Sequence, residues 1–341
     1  MRISLTTLLA MLFFSMNLFA NDSTARIGAG GVILLKNENI RMLEEVLVIS
    51  PKIIRVNYKF LNEGKEDIRT TVAFPMPPYG WNPGESQIDS NVGPLRSFKL
   101  LLDGATIPTK LSQRALVGNR DITDQLRKAG LTEDQIFKTF GDCEVDAGMI
   151  SCDLTKKQKA EIARIVHNKD GFSDWKVAET AYWNQVFPAG KTIAVQHEYH
   201  PFVGMTYNNP YGQDEEPMRE LPTAAWIGPE PKNAENEACL DDETRAAMYK
   251  RMKGIVEKGK KYVWATLNDV EYILGTGRNW KGPIKNFKLQ IVKESPDQFV
   301  SLCFPGKPKK TSPTTLEFSQ SNYLPQDKLI VHFYTISGTS D

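Results

Sequence analysis

The sequence carries no surplus of charge of either sign: 42 Lys and Arg stand against 41 Asp and Glu in 341 residues. Without a basic field, nothing in it attracts nucleic acid or an anionic membrane surface. Histidine and cysteine are both scarce, at four each. No apolar run after Ala20 approaches the roughly 20 residues that cross a bilayer as a helix, so no integral membrane segment is expected beyond the leader. There is no internal repeat. What is present is ordinary globular material: 41% apolar residues, 24% charged residues, 24 Gly and 20 Pro. Composition of this kind argues against disorder and collagen-like repeats, and the length suggests about two domains or one domain with insertions.

The N-terminus has the layout of a secretory signal peptide. Arg2 supplies one positive charge, Leu5 to Phe19 is apolar, and Ala20 precedes the polar Asn21-Asp22-Ser23. The strongly apolar part, Leu8 to Phe19, is too short for a membrane anchor. Cleavage after Ala20 is expected, with no Cys beside the cut for lipid attachment, and the mature chain would be periplasmic or secreted. It would hold 41 residues of each charge sign.

Four cysteines, Cys143, Cys152, Cys239 and Cys303, then face an oxidising compartment, where an even number favours disulfides. Three pairings are possible. Cys143 and Cys152 suit a bridged hairpin or short loop around Gly148, which leaves Cys239 and Cys303 to close a long loop. A zinc site would need a close cysteine pair or a histidine at ligand spacing, and neither is present.

Strand patterns dominate the first half. Ile54, Val56, Tyr58 and Phe60 alternate with Arg55, Asn57 and Lys59. After Asn62-Glu63-Gly64 the alternation resumes at Ile68, Thr70, Val72 and Phe74, which predicts a hairpin. Phe98, Leu100 and Leu102 lead to the turn dipeptide Asp103-Gly104. The middle changes period. Thr123 to Ala129 reads as a short helix closed by Gly130, and Thr132/Gln135 and Thr155/Gln158 are capping boxes. The second box opens a helix from Lys156 to Asn168, with Ile162, Ile165 and Val166 on one face and Lys156, Lys157, Lys159 and Arg164 solvated. Asp241 or Asp242 caps a further helix to about Val256, its apolar stripe being Met248, Met252 and Ile255. Strands return at 192–200, 286–292, 298–304 and 328–336.

The expected architecture is therefore β-rich α+β: sandwich-like antiparallel sheets with helical insertions. The expected division is a leader at 1–20, a β-sandwich-like region at 21–118, a helical insertion with the Cys143/Cys152 hairpin at 119–175, and a β-rich region at 176–341 with one helix.

Tests for chemistry return little. Gly190-Lys191-Thr192 resembles the end of a phosphate-binding loop, but Gln185 stands where that loop needs Gly and a strand follows instead of a helix. Gly28-Ala29-Gly30-Gly31 lacks the dinucleotide spacing and reads as a flexible N-terminal segment. His197 and His200 are three apart in a strand and so point to opposite faces, which makes them poor partners for one metal. His197 belongs with Ile193, Val195 and Tyr199 on the inner face. No nucleophile elbow is present. No catalytic residue, metal site or cofactor is therefore assigned.

Several stretches carry a resemblance. Asn21-Asp22-Ser23-Thr24-Ala25 with Gly28-Ala29-Gly30-Gly31, then Thr71-Val72-Ala73-Phe74-Pro75-Met76-Pro77, are similar to the opening of a bacterial exported family catalogued as domain of unknown function 4424. Tyr272-Ile273-Leu274-Gly275-Thr276-Gly277, Asn279-Trp280-Lys281-Gly282-Pro283-Ile284 and Ser312-Pro313-Thr314-Thr315 extend it almost to the C-terminus. This resemblance implies export and brings neither an activity nor catalytic residues. More loosely, the first half is similar to the N-terminal β-sandwich module of inter-alpha-trypsin inhibitors, an interaction unit.

Two long stretches, Pro75 to Pro94 and Pro201 to Pro231, read as irregular and rich in Pro, Gly and aromatics. Loops of that length are uncommon unless they serve a function. Their aromatics Tyr79, Trp81, Tyr207, Tyr211 and Trp226 are the candidate binding residues. The expected function is non-catalytic binding of a protein or small ligand in the bacterial envelope. The alternatives are an envelope carbohydrate hydrolase with paired carboxylates and a structural component of an envelope assembly.

Overall fold

Alternating strand patterns require faces to cover, and in the computed structural model three large sheets cover one another. The structure describes residues 23–28, 31–80, 98–137, 144–146, 149–151, 154–166, 175–208, 238–260 and 262–339. In chain order the first strands are β1 (Ser23–Gly28), β2 (Gly31–Leu35), β3 (Ile40–Ile49), β4 (Ile54–Asn62) and β5 (Ile68–Pro75). They are followed by β6 (Lys99–Leu102), β7 (Ala105–Thr106), β8 (Lys110–Val117) and β9 (Arg120–Asp121). The helical middle comprises α1 (Thr123–Lys128), α2 (Glu133–Phe137), the small hairpin β10 (Glu144–Asp146) and β11 (Met149–Ser151), and α3 (Lys156–Val166). Next come β12 (Lys176–Phe187), β13 (Thr192–Tyr199), β14 (Val203–Asn208), α4 (Asp242–Glu257) and β15 (Tyr262–Ile273). The chain closes with β16 (Ile284–Val292), β17 (Phe299–Leu302), β18 (Lys309–Ser312), β19 (Thr315–Tyr323) and β20 (Lys328–Thr339).

The sheets run β2-β1-β5-β12-β8-β9, β18-β19-β16-β3-β4-β13-β6-β7 and β14-β15-β20-β17. Pairing is antiparallel except between β3 and β16, which lie side by side and parallel. Strands far apart in the chain thus share sheets: β12 completes the sheet of β5 and β8, and β13 that of β4 and β6.

The predicted alternation holds in β4, where Ile54, Val56, Tyr58 and Phe60 are buried. Asp103 and Gly104 both take positive φ, 46° and 86°, the conformation of the tight turn that joins β6 to β7. The capping boxes also form. Gln135 N bonds Thr132 Oγ1 at 3.1 Å while Thr132 N donates to Gln135 Oε1 at 2.9 Å, and Thr155 and Gln158 repeat the exchange.

Three local expectations fail, each for a reason outside its own segment. β4 and β5 do not form a hairpin. Asn62 is fully buried, and its side-chain amide donates to the carbonyls of Glu66 and Phe187 at 2.8 Å each. That pins the chain where it leaves one sheet for the other, and β4 pairs with β3 instead. The flexible segment expected around Gly28 and Gly31 is strand at both of these residues: Gly28 ends β1 and Gly31 opens β2, the two strands pair antiparallel, and β1 also pairs with β5. The stretch after Pro201 is not wholly irregular either, because β14 adds to the edge of β15.

One core spans all three sheets. It takes Ile40, Leu47 and Leu289 from the largest sheet, Val72, Phe74 and Trp183 from the second, and Val270, Tyr272 and Phe333 from the third. Trp280 is 1% exposed, with ring centroids of Phe60 and Phe187 at 4.6 and 5.9 Å. Truncating a core aromatic of this kind costs about 3–5 kcal/mol. A second cluster packs the helical middle on β8 and β12, where buried Trp175 donates its indole N–H to Ile136 O at 3.0 Å.

Candidate functional site

The sequence-predicted residues scatter. Tyr79, expected among the binding aromatics, is buried: its backbone bridges Val177, and its ring stacks on Phe202 with centroids 5.5 Å apart. Tyr207 lies on β14 opposite Thr266, in a strand and not a loop. Trp81, Tyr211 and Trp226 lie outside the described residues, as do Cys143 and Cys152. His197 and His200 diverge as their strand geometry requires. His197 is in the core, with the rings of Phe74, Phe98 and Tyr58 at 4.4, 5.2 and 5.4 Å, and His200 is exposed. Among the described residues no group of three His, Cys, Asp or Glu could hold a metal ion.

Sequence reasoning missed the outer face of the third sheet. α4 lies across it, and every part of α4 is tied down. Asp241 caps its start by accepting Thr244 N–H at 2.6 Å. Met248 and Met252 are fully buried against Val263, Ala265, Tyr334 and Ile336. The end is closed by Gly259 at φ 81°, with Gly259 N bonded to Val256 O and Lys260 N to Ile255 O. Just before the helix, Cys239 forms a disulfide with Cys303 at the end of β17, Cα to Cα 4.9 Å. It is the pair left over when Cys143 and Cys152 are matched to each other.

A groove of about 630 Å³ runs between the exposed side of α4 and the β16–β17 connection. Its helical wall is Ala247, Lys250, Arg251, Gly254, Ile255 and Lys258, the repeat of three and four that defines one helix face. The opposite wall holds Lys293, Pro296, Asp297, Gln298 and Phe299 and is internally braced. Gln298 accepts Glu294 N–H at 3.0 Å and donates to Thr335 Oγ1 at 3.2 Å, while Lys293 Nζ donates to Pro296 O at 2.7 Å. Arg251 spans the groove to Asp297 at 2.9 Å. Burial and the neighbouring Lys310 charge together hold the Lys293 ammonium below the ordinary lysine range, with Asp297 opposing them.

Next to Phe299 on the same sheet face lies a polar row. Gly204, Asp269, His332 and Ser301 stand opposite one another on β14, β15, β20 and β17. Tyr334 joins two of them, its Oη 3.2 Å from His332 Nδ1 and 3.3 Å from Ser301 Oγ. Burial raises the Tyr334 phenol above its ordinary range, with the Ser301 bond and the Arg245 charge opposing. Ser, His and Asp are the residue types of a hydrolase triad. Here, however, the hydroxyl that meets the imidazole is that of Tyr334, and Ser301 is 5% exposed. Gly204 and Ser301 in this row are buried, and Asp269 and His332 are half-buried.

A family model for a domain of unknown function, DUF4424, matches residues 20–331. The chain belongs to the DUF4424 family. No curated protein matches this DUF4424 chain. Among solved structures it is similar to a candidate nutrient binding protein from Legionella pneumophila subsp. pneumophila str. Philadelphia 1, at 12% identity and a TM-score of 0.43, over 93% of this chain and 70% of the other. Within the stretches that carried the family resemblance, Phe74, Tyr272, Leu274, Trp280 and Ile284 are all buried in the shared core. None of these five residues lines the groove.

Proposed function

We propose that this DUF4424 chain is an exported, non-catalytic binding protein that holds a small ligand in the groove beside α4. The observation that carries the reading is Gly254. A glycine inside a helix costs about 1 kcal/mol relative to alanine, yet a Cβ built at Gly254 would meet nothing within 4 Å. No neighbour demands the glycine, and it leaves the helical wall of the groove bare at this point. The volume falls in the range of small-molecule sites, about 300–1,000 Å³. The Cys239–Cys303 disulfide supports an oxidising compartment, and with the expected cut after Ala20 the protein would be periplasmic or secreted. Among the described residues no helix is long and apolar enough to cross a membrane.

Native mass spectrometry of protein recovered from its own cell envelope tests the reading. A small ligand is expected on the wild type and missing from Gly254→Trp; bare wild-type protein, or equal loading of both, counts against the groove. Edman sequencing of the same material is expected to begin at Asn21. Trp81, Tyr207, Tyr211 and Trp226 stay in the proposal as aromatic contacts, so Trp81→Ala and Trp226→Ala are expected to reduce what co-purifies.

A further inference from the structure

The lining of the groove combines apolar and cationic residues, and the combination identifies a class of ligand. Part of the lining is apolar or bare: Ala247, Gly254, Ile255, Pro296 and Phe299. The rim carries four cations, Lys250, Arg251, Lys258 and Lys293, against the single acid Asp297, in a chain whose overall charge is close to balance. Asp297 is already taken by Arg251. Two carboxylates beside the lining residues in sequence have other partners: Glu294 pairs with Lys52 at 3.2 Å and Glu257 with Lys253 at 3.8 Å. Among the described residues no carboxylate pairs with Lys250 or Lys258. Like charges gathered on one rim repel one another, and a bound anion would relieve that repulsion.

Resting on the binding reading above, we infer that the groove takes a small amphipathic anion, its apolar body on Ala247, Gly254 and Phe299 and its carboxylate or phosphate among Lys250, Lys258 and Lys293. Arg251 spans the same opening and can turn from Asp297 to the ligand without a backbone change. The partly desolvated Lys293, pressed by Lys310, is the cation that gains most from a fixed counter-charge.

The test uses one apolar body with and without charge: 1-naphthyl phosphate, 1-naphthoate and neutral 1-naphthol, with inorganic phosphate as the bodiless anion. Each is titrated calorimetrically into wild type, Gly254→Trp and the double variant Lys250→Gln/Lys258→Gln, with folding verified by circular dichroism. At least one naphthyl anion is expected to bind about tenfold or more tighter than both naphthol and inorganic phosphate, as charge-assisted contacts at a partly desolvated rim should give. The double variant is expected to lose most of that preference, and Gly254→Trp to lose binding altogether. The stronger of the two anions tells phosphate from carboxylate. Naphthol binding as tightly as the anions overturns the charge inference and leaves the binding reading standing. Absence of binding by every probe, or binding undiminished in folded Gly254→Trp, overturns both.

Discussion

Removing the Cys239–Cys303 disulfide by substituting both cysteines with alanine is expected to cost about 4 kcal/mol of stability. The bond closes a loop between residues 64 positions apart, and the loop-entropy relation for a closure of that size gives about 4 kcal/mol at 25 °C. That is roughly a thousandfold in the folding equilibrium. The origin of the effect can be separated from its size. If the bond acts by restricting the unfolded chain, the variant's unfolded state is more expanded, and the guanidinium slope m should rise as the midpoint falls. If it acts by holding α4 on the third sheet, m should stay constant while amide exchange quickens across residues 242–257. Guanidinium titration followed by both fluorescence and far-ultraviolet circular dichroism reads midpoint and slope together. A variant with the wild-type midpoint and the wild-type slope would refute the reasoning, since neither route would then be operating.

Other outcomes follow from single contacts. Tyr334→Phe leaves buried Ser301 without the hydroxyl 3.3 Å away and should cost about 1–3 kcal/mol; urea denaturation should also show the Ser301→Ala/Tyr334→Phe pair recovering part of the loss. A Cβ at Gly338 would fall on Ile255 of α4, so Gly338→Ala should destabilise by about 1–3 kcal/mol through overpacking, and a melting temperature equal to wild type would contradict the close approach. Glu63 accepts hydrogen bonds from Arg41 and Lys281, both at 2.7 Å, which lower its pKa from 4.5 to about 2. Because the folded value is the lower one, its contribution is present above pH 4.5 and fades as the pH falls toward 2. Glu63→Gln should therefore have a flatter midpoint-against-pH curve over that window, and parallel curves would remove the pair from the account.

The elements legible in the sequence are those whose cause is local. Thr132 with Gln135, Thr155 with Gln158, and Asp241 before α4 are caps that act across three residues. Asp103-Gly104 is a turn decided by two backbone conformations. β4 and β13 show clean alternation because one side of each faces the core while the other is only partly covered. β12 gives no such signal, being buried continuously from Val177 to Ala181 with Glu179 and Thr180 inside. Glu179 is tolerated there with a 2.7 Å bond from Gln113, which lies far off in sequence. β15 likewise breaks its apolar pattern with Asn268, Asp269 and Glu271.

By itself, then, the sequence determined the class of fold, the helix starts, the tight turns and the apolar faces, because propensities, caps and side-chain periodicity act over a few residues. Only the tertiary structure decided which sheet each strand joined, that β3 and β16 run parallel, and that β4 and β5 part company. It alone also brought α4 alongside residues 293–299 to form the groove, and set Gly204, Asp269, His332 and Ser301 in one row. Those arrangements depend on register between strands tens to hundreds of residues apart, and on burial that exists only once the sheets have closed on a common core.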